Sequence, residues 1–217
     1  MASSIRLKSG LEIRDPEGTI LEFARQWYPF YDGVPVPADN ELRVVEIALS
    51  TMLMSRISGV TGAEIWRQKQ PVEEGLSEVP VGVDLLDIEA GRPIPGMGGM
   101  EKALDAMCAI HRCKLAVATK ILHKKRPGLI PIFDSRVDGE YKSLVPRSCH
   151  PSRAGYGKYY AAMTPLVHED MLNAREQLER LRERLQRNGT PMTPCRIFNA
   201  LTWKTLDTLE RQRRARA

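Results

Sequence analysis

The sequence predicts a mainly all-α fold with a short β-hairpin at its start. Apolar residues recur at spacings of three and four along most of the 217 residues, which is the period of amphipathic helices. Capping residues and prolines stand where the helices begin, and glycines or prolines where they end. We therefore expect a hairpin at 1–14, one helical domain over 15–210 and a basic tail at 211–217.

The first elements follow from local patterns. The hairpin has apolar residues that alternate with charged ones around Ser9-Gly10, namely Ile5, Leu7, Leu11 and Ile13. Asp15 followed by Pro16 predicts the start of a helix, which Pro29 ends. The loop that follows delivers Asp39 as the next cap. The broad apolar stripe over 41–57 then predicts a central, buried helix.

The middle of the chain predicts short helices at 61–68 and 83–89, then longer ones at 100–110 and 113–125. The glycine-proline stretch 91–99 reads as a loop, since no strand precedes it and no Gly-Lys-Ser/Thr closes it.

The C-terminal third predicts two helices. Over 169–187, apolar residues alternate spacings of three and four like a coiled-coil seam. Because the seam is short, we expect a monomer in which this helix packs on its own domain. Self-association through the helix is the alternative. Thr193-Pro194 begins the last helix, and an arginine-rich tail follows.

The net charge of +5 is unevenly spread. Residues 112–158 hold eleven Lys or Arg against three Asp or Glu. Such an excess is typical of a surface that binds phosphate, and DNA is the partner that we expect. A solvated face with counter-ions is the alternative.

Other classes are excluded by composition. No apolar run approaches the ~20 residues of a membrane span, and the N-terminal residues lack the apolar core of a secretory signal. The four cysteines follow neither a zinc nor a disulfide pattern. We expect a cytoplasmic protein with reduced thiols, no metal and no cofactor.

The most informative segment is 100–145. It predicts a helix, a short hairpin, a second helix that begins near Lys114, a connector with Pro127 and Pro131, and a carboxylate, Asp134, at the next helix N-terminus. A hairpin between helices exposes backbone N–H groups that bind phosphate without reading sequence. The two prolines fix the distance from this hairpin to Asp134.

This succession resembles the helix-hairpin-helix DNA glycosylase superfamily. It is most similar to an uncharacterised bacterial family with the motif LH-x-KRP-x-LIP-x-x-DS, whose residues here are Leu122, His123, Lys125, Arg126, Pro127, Leu129, Ile130, Pro131, Asp134 and Ser135. The closing Arg196-Ile-Phe-x-Ala-Leu-x-Trp203 is similar to the last helix of that family. The hairpin at 109–113 differs from the superfamily pattern, because it contains no glycine.

The resemblance implies a two-lobed helical domain that removes a flipped base from DNA by cleaving its N-glycosidic bond. Asp134 would stabilise the oxocarbenium-like sugar and orient water, and Lys114 falls near the Schiff-base lysine of bifunctional members. A cap for the helix is the other role open to Asp134, and a phosphate contact the other role open to Lys114.

Further residues are expected to hold DNA, through the hairpin, the basic helix and the helix after Asp134: His111, Arg112, Lys120, Lys124, Lys125, Arg126, Ser135 and Arg136. Tyr28 and Tyr31 are candidates for the wall of a base pocket, and Trp27 for the core. Two rival functions remain. One is a DNA-binding protein that kept the scaffold without the chemistry, and the other is an interaction protein built on helix 169–187.

Overall fold

The computed structural model describes residues 4–55 and 57–216. The first three residues of the predicted hairpin and residue 217 of the predicted tail lie outside this range. The described residues form an all-α fold with one short hairpin, as predicted. The strands are β1 (Ile5–Arg6) and β2 (Glu12–Ile13), and the helices are α1 (Pro16–Trp27), α2 (Val44–Met52), α3 (Gly59–Arg67), α4 (Lys69–Ser77), α5 (Met97–Ala109), α6 (Leu115–Lys125), α7 (Ser135–Tyr141), α8 (Pro151–Asn173), α9 (Arg175–Arg187) and α10 (Pro194–Arg216).

The hairpin is part of the core. Ile5 pairs with Ile13 in an antiparallel register, and both side chains are buried. The Lys8 backbone N–H donates to Asp170 Oδ1 at 2.9 Å, and the Tyr141 hydroxyl donates to Asp170 Oδ2 at 2.7 Å. One buried carboxylate therefore joins the hairpin to α7 and α8.

Helix α1 begins as predicted, because the Asp15 carboxylate accepts the Gly18 N–H at 3.0 Å. It packs against α10. Phe23 and Trp27 both meet Trp203 edge to face, with ring centroids 6.2 and 6.1 Å apart. This aromatic group brings the two ends of the chain together.

The prediction for 41–57 is wrong in length and in burial. Helix α2 covers nine residues and lies at the surface, with Val44, Val45 and Met52 exposed. The stripe is broad because both faces are apolar, and periodicity alone does not show which face is covered. Asp39 does not cap the helix. Its carboxylate accepts hydrogen bonds from Arg43 at 2.8 and 2.7 Å.

Helix α4 and its close packing on α5 are absent from the prediction, since Pro71 and Gly75 interrupt its pattern. The packing explains Gly75. A Cβ there would lie 2.7 Å from both the Ala103 nitrogen and the Gly99 carbonyl oxygen. Only a 3-10 turn, Leu85–Asp87, forms where a helix is predicted at 83–89.

The predicted helix at 169–187 is divided at Ala174 between α8 and α9. The apolar face of α9, Leu178, Leu181 and Leu185, is buried in the core of this chain. Packing of this apolar face on the domain is therefore confirmed, and these three leucines are covered by the chain itself.

The basic tail is not a separate segment, because α10 continues through Arg216. Arg211 pairs with Asp207 at 2.9 Å, and Arg214 pairs with Glu210. These pairs at a spacing of four extend the helix. Within the part of the chain that the structure describes, no helix combines the length and the apolar character that a membrane crossing requires.

Candidate functional site

The predicted hairpin between two helices is present. Helix α5 ends at Ala109, the Cys113 N–H donates to the Ile110 carbonyl at 3.0 Å, and α6 begins at Leu115. Arg112 takes the left-handed conformation with φ +64°, which usually favours glycine. His111, Arg112 and the capping-position residue Lys114 are all exposed.

The connector after α6 is held along its length by side chains of α6 and α10. The His123 ring Nδ1 lies 2.6 Å from the Ile130 carbonyl oxygen. The Ile132 N–H donates to Asn199 Oδ1 at 2.8 Å, and the Phe133 N–H donates to Thr119 Oγ1 at 3.1 Å. These bonds, and not the prolines alone, fix the position of the next residue, Asp134.

Asp134 is the N-cap of α7 and is 8% exposed. Its Oδ1 accepts the backbone N–H groups of Arg136 at 3.0 Å and Val137 at 3.1 Å. Its Oδ2 accepts no hydrogen bond from any residue that the structure describes. The carboxylate therefore caps the helix with one oxygen and keeps the other oxygen for a further partner.

Asp134 lines an open pocket, in which the empty space together with the solvent at its mouth amounts to about 400 Å³. Aromatic and aliphatic side chains form most of the lining, and four polar residues complete it: Phe23, Trp27, Leu53, Met54, Ile132, Val137 and Trp203, with Lys120, Asp134, Arg196 and Asn199.

Lys120, predicted to bind DNA from a basic helix face, lies in this pocket and is only 7% exposed. Its ammonium donates to the Leu53 carbonyl at 2.6 Å. Burial lowers the pKa of the Lys120 ammonium, the Asp134 carboxylate opposes that shift, and the Arg196 guanidinium adds to it. A carboxylate, Asp134, and an amine, Lys120, thus line one pocket that is otherwise mainly apolar.

The lip of the pocket is a strained segment. Met54 has a φ angle of +61°, which is unusual for a residue that is neither glycine nor asparagine. Its side chain is 66% exposed. Two hydrogen bonds hold the turn in this conformation. The Leu53 N–H donates to the Ser50 carbonyl, and the Met54 N–H donates to the Thr51 carbonyl. The turn presents the Leu53 carbonyl to Lys120.

Arg196 is a pocket residue that the sequence reasoning missed as a site residue. Its side chain is buried and pairs with Asp32, with Nε to Oδ1 at 2.6 Å and Nη2 to Oδ2 at 3.0 Å. The spacing 196, 199 and 203 places Arg196, Asn199 and Trp203 on one face of α10, since three and four residues approximate one helical turn. In the sequence, that spacing is the feature that could have indicated a shared polar and aromatic face.

Three further residues that were predicted to contact DNA donate hydrogen bonds to other parts of the protein. Lys125 is fully buried against Glu46, and Arg126 is 2% exposed with bonds to the Val79, Asp39 and Leu76 carbonyls. Lys124 donates to the Tyr31 and Val34 carbonyls at 2.9 Å each. Every N–H group of Lys125 and Arg126 is engaged within the protein, so the prediction of phosphate contacts at these two positions is wrong. Lys124 is half-buried with two of its three N–H groups engaged, and its DNA contact stays a prediction.

The predicted tyrosine walls are also corrected. Tyr31 is fully buried, and its hydroxyl donates to the Lys120 carbonyl at 2.5 Å. Tyr28 is half-buried and is not among the residues that line the pocket. The aromatic wall comes from Trp27, which was assigned to the core, together with Phe23 and Trp203.

The remaining candidates lie outside the pocket. Lys114 is exposed, and its ammonium lies 5.6 Å from the centre of the Tyr156 ring on α8. Ser135 is exposed beside Asp134. Arg136 is half-buried and pairs with Asp207 and Glu210 at 3.0 Å each. The structure therefore brings Lys120, and not Lys114, to Asp134.

The basic excess of 112–158 is divided between interior and surface. Within the described residues, six of the eleven cations are exposed and have no acidic partner within 4.0 Å: Arg112, Lys114, Lys142, Arg147, Arg153 and Lys158. The contact between Lys114 and Tyr156 joins the hairpin to the first turns of α8. We call the hairpin and the segment 147–158 together the basic face.

Fold and site define a class: an all-α domain in which a helix-hairpin-helix element leads to a capped carboxylate in an aromatic pocket. The model of a family of unknown function, DUF6308, matches residues 33–206, so the chain belongs to that family. No curated protein and no solved structure matches the chain. The matched range includes Lys120, Asp134 and Arg196 and begins after α1, which supplies Phe23 and Trp27.

Proposed function

We propose that this protein is a DNA glycosylase that removes a damaged or modified base by hydrolysis of its N-glycosidic bond. One observation carries the proposal. Asp134, which follows a helix-hairpin-helix element in the chain, lines an aromatic pocket and has one carboxylate oxygen that accepts no hydrogen bond from the described residues. Aromatic side chains such as those of this lining bind a base flipped from the duplex through stacking and van der Waals contact.

Asp134 performs the central step. As the glycosidic bond breaks, positive charge develops on the sugar, and the Asp134 carboxylate stabilises that charge. The same carboxylate orients a water molecule for attack at C1′ and accepts its proton. The two backbone N–H groups that bind Oδ1 hold the carboxylate in place, so little reorganisation accompanies the reaction. This mechanism requires no metal or organic cofactor.

The basic face holds the DNA. His111, Arg112 and Lys114 compensate with side chains for the missing hairpin glycines, and the cations of 147–158 extend the contact along the backbone. Each such contact is modest and sensitive to salt. We assign Lys114 to phosphate binding, because its exposed position over Tyr156 keeps its amine at the surface.

The setting fits a monomer in the cytoplasm, which we also propose. The four cysteines are free thiols, and three of them are buried, as suits a reducing compartment. A second candidate, DNA binding without catalysis, is favoured by the glycine-free hairpin, since close approach of backbone to phosphate usually requires glycine.

The test uses duplexes that each carry one damaged or modified base, followed by alkali to cut the strand wherever a base is lost. We expect base release by the native protein and a loss of at least about a hundredfold in Asp134→Asn, the size usual for a lost electrostatic contact to a transition state. Asparagine keeps the capping oxygen, so the fold is retained.

Asp138→Asn is the matched control. Asp138 lies one turn further along α7 and accepts the Tyr159 hydroxyl at 2.7 Å, outside the pocket. We expect that variant to retain base release. Salt-dependent DNA binding without release from any substrate would support the second candidate, and release that survives Asp134→Asn would reject the role of this carboxylate.

A further inference from the structure

Resting on the proposed function, we infer that the pocket takes an uncharged base whose edge carries carbonyl groups, such as uracil or an oxidised pyrimidine. We infer further that Lys120 donates a hydrogen bond to a carbonyl oxygen of that base as it leaves. The inference follows from the hydrogen-bonding capacity and the charge of the lining.

The side chains of the lining offer mainly donors. Lys120 has three N–H groups, and one of them is engaged with the Leu53 carbonyl. Arg196 has five, and its pairing with Asp32 engages one on Nε and one on Nη2, so three remain. Both the oxygen and the nitrogen of the Asn199 amide are engaged with the Ile132 backbone. Carbonyl groups are the partners that such donors require.

Charge points to the same class of base. Lys120 and Arg196 place two cations in the lining, Asp32 neutralises the guanidinium, and the Asp134 carboxylate balances the ammonium. The four charges cancel, so no net negative charge remains to attract a cationic, N-alkylated base. The free N–H groups of the two cations would also face the positively charged edge of such a base, whereas they can donate to the carbonyl oxygens of an uncharged one.

The same ammonium serves the departing base. When the C1′–N bond breaks, its electron pair leaves with the base and is delocalised onto the carbonyl oxygens. The Lys120 ammonium donates to one of these oxygens and transfers its proton to the base, and solvent then reprotonates the amine. The attacking water gives hydroxide to C1′ and its proton to Asp134, so atoms and charge balance.

The geometry prepares Lys120 for this role. The Leu53 carbonyl orients the ammonium, and the Tyr31 hydroxyl donates to the Lys120 backbone carbonyl. Burial lowers the pKa of this ammonium, which makes it a stronger acid.

The experiment measures binding to duplexes in which one nucleotide has a 2′-fluoro sugar, which resists cleavage. The base on that sugar is either uracil or an N-methylated adenine that is cationic and has no carbonyl group. We expect the native protein to bind the uracil duplex at least about tenfold more tightly, and Lys120→Met to lose this preference, as one charge-assisted hydrogen bond predicts. Lys120→Arg, which keeps charge and donors, should retain part of it.

Lys124→Met is the control. Lys124 lies one turn further along α6 and is also partly buried, but its ammonium binds the Tyr31 and Val34 carbonyls outside the pocket. Circular dichroism and thermal unfolding establish that each variant is folded. We expect Lys124→Met to keep the preference for uracil.

The outcomes separate this inference from the proposed function. Equal binding of both duplexes, or tighter binding of the methylated adenine, overturns the inference, and base release that depends on Asp134 would then still support a glycosylase. A Lys120-dependent preference without release of any base supports the inference about recognition and rejects the proposed catalysis.

Discussion

Lys125 offers a direct test of the distinction between an internal cation and a DNA contact. Its side chain is 0% exposed, and its ammonium has three acceptors: the Pro37 carbonyl at 2.8 Å, Asp39 Oδ1 at 2.7 Å and Glu46 Oε1 at 3.1 Å. Three acceptors satisfy the three N–H groups of the ammonium. Glu46 is also fully buried.

Replacement of Lys125 by methionine leaves the Glu46 carboxylate buried beside an apolar side chain. The only other bond that this carboxylate accepts from the described residues is the Arg43 backbone N–H at 2.8 Å. Removal of one partner of a buried ion pair costs about 3–5 kcal/mol of unfolding free energy. At about 2–4 °C per kcal/mol for a chain of this size, the melting temperature should fall by roughly 6–20 °C.

Urea denaturation of the native protein, of Lys125→Met and of Lys125→Met/Glu46→Gln measures the effect. The double variant should recover a large part of the loss, because it no longer buries an unpaired charge. The salt dependence of DNA binding should stay the same in all three proteins. A change below about 1 kcal/mol in Lys125→Met, together with a shallower salt dependence, would refute the structural role and restore Lys125 as a phosphate contact.

Two further predictions concern packing and pH. Gly75→Ala places a methyl group 2.7 Å from the Ala103 nitrogen and should cost about 1–3 kcal/mol by denaturation, whereas Gly98→Ala, with open space around it, should be neutral or stabilising. Equal effects would contradict the close packing of α4 on α5. His123 is fully buried, and burial lowers its pKa to about 3. Between about pH 6.5 and pH 3 the His123 ring is protonated in the unfolded chain but stays neutral in the folded protein. The free energy of unfolding therefore keeps its full value above about pH 6.5 and falls at lower pH by up to about 1.4 kcal/mol per pH unit. His123→Leu should show a shallower acid-side slope in unfolding experiments, and an unchanged slope would contradict this origin.

Local signals in the sequence were sufficient where one element determines its own ends. Asp15-Pro16, Thr193-Pro194 and Asp134 begin helices as predicted, because capping depends on atoms within a few residues. The prolines and the motif around Asp134 likewise predicted its place at the start of a helix, directly after a rigid connector.

The pocket was less predictable, because it depends on which helix faces meet. Lys120, Lys124 and Lys125 lie within six residues of one another, yet one lines the pocket and the other two bind carbonyls or carboxylates elsewhere. A run of lysines is usually a solvated face, and no local pattern shows that the loop over 31–39 covers this helix. Arg196 and Trp203 likewise become pocket residues only when α10 packs against α1.

The pocket also divides its tasks among separate parts of the chain. Helix α6 supplies the Lys120 donor and the N-cap of α7 supplies the Asp134 carboxylate, whereas part of the aromatic wall comes from α1, outside the range that the family model matches. Substitutions at Phe23 or Trp27 therefore alter the shape that a ligand must have without touching the groups assigned to bond cleavage. The proposed recognition and the proposed bond cleavage therefore depend on different helices, so substitutions in α1 should change the first and leave the second in place.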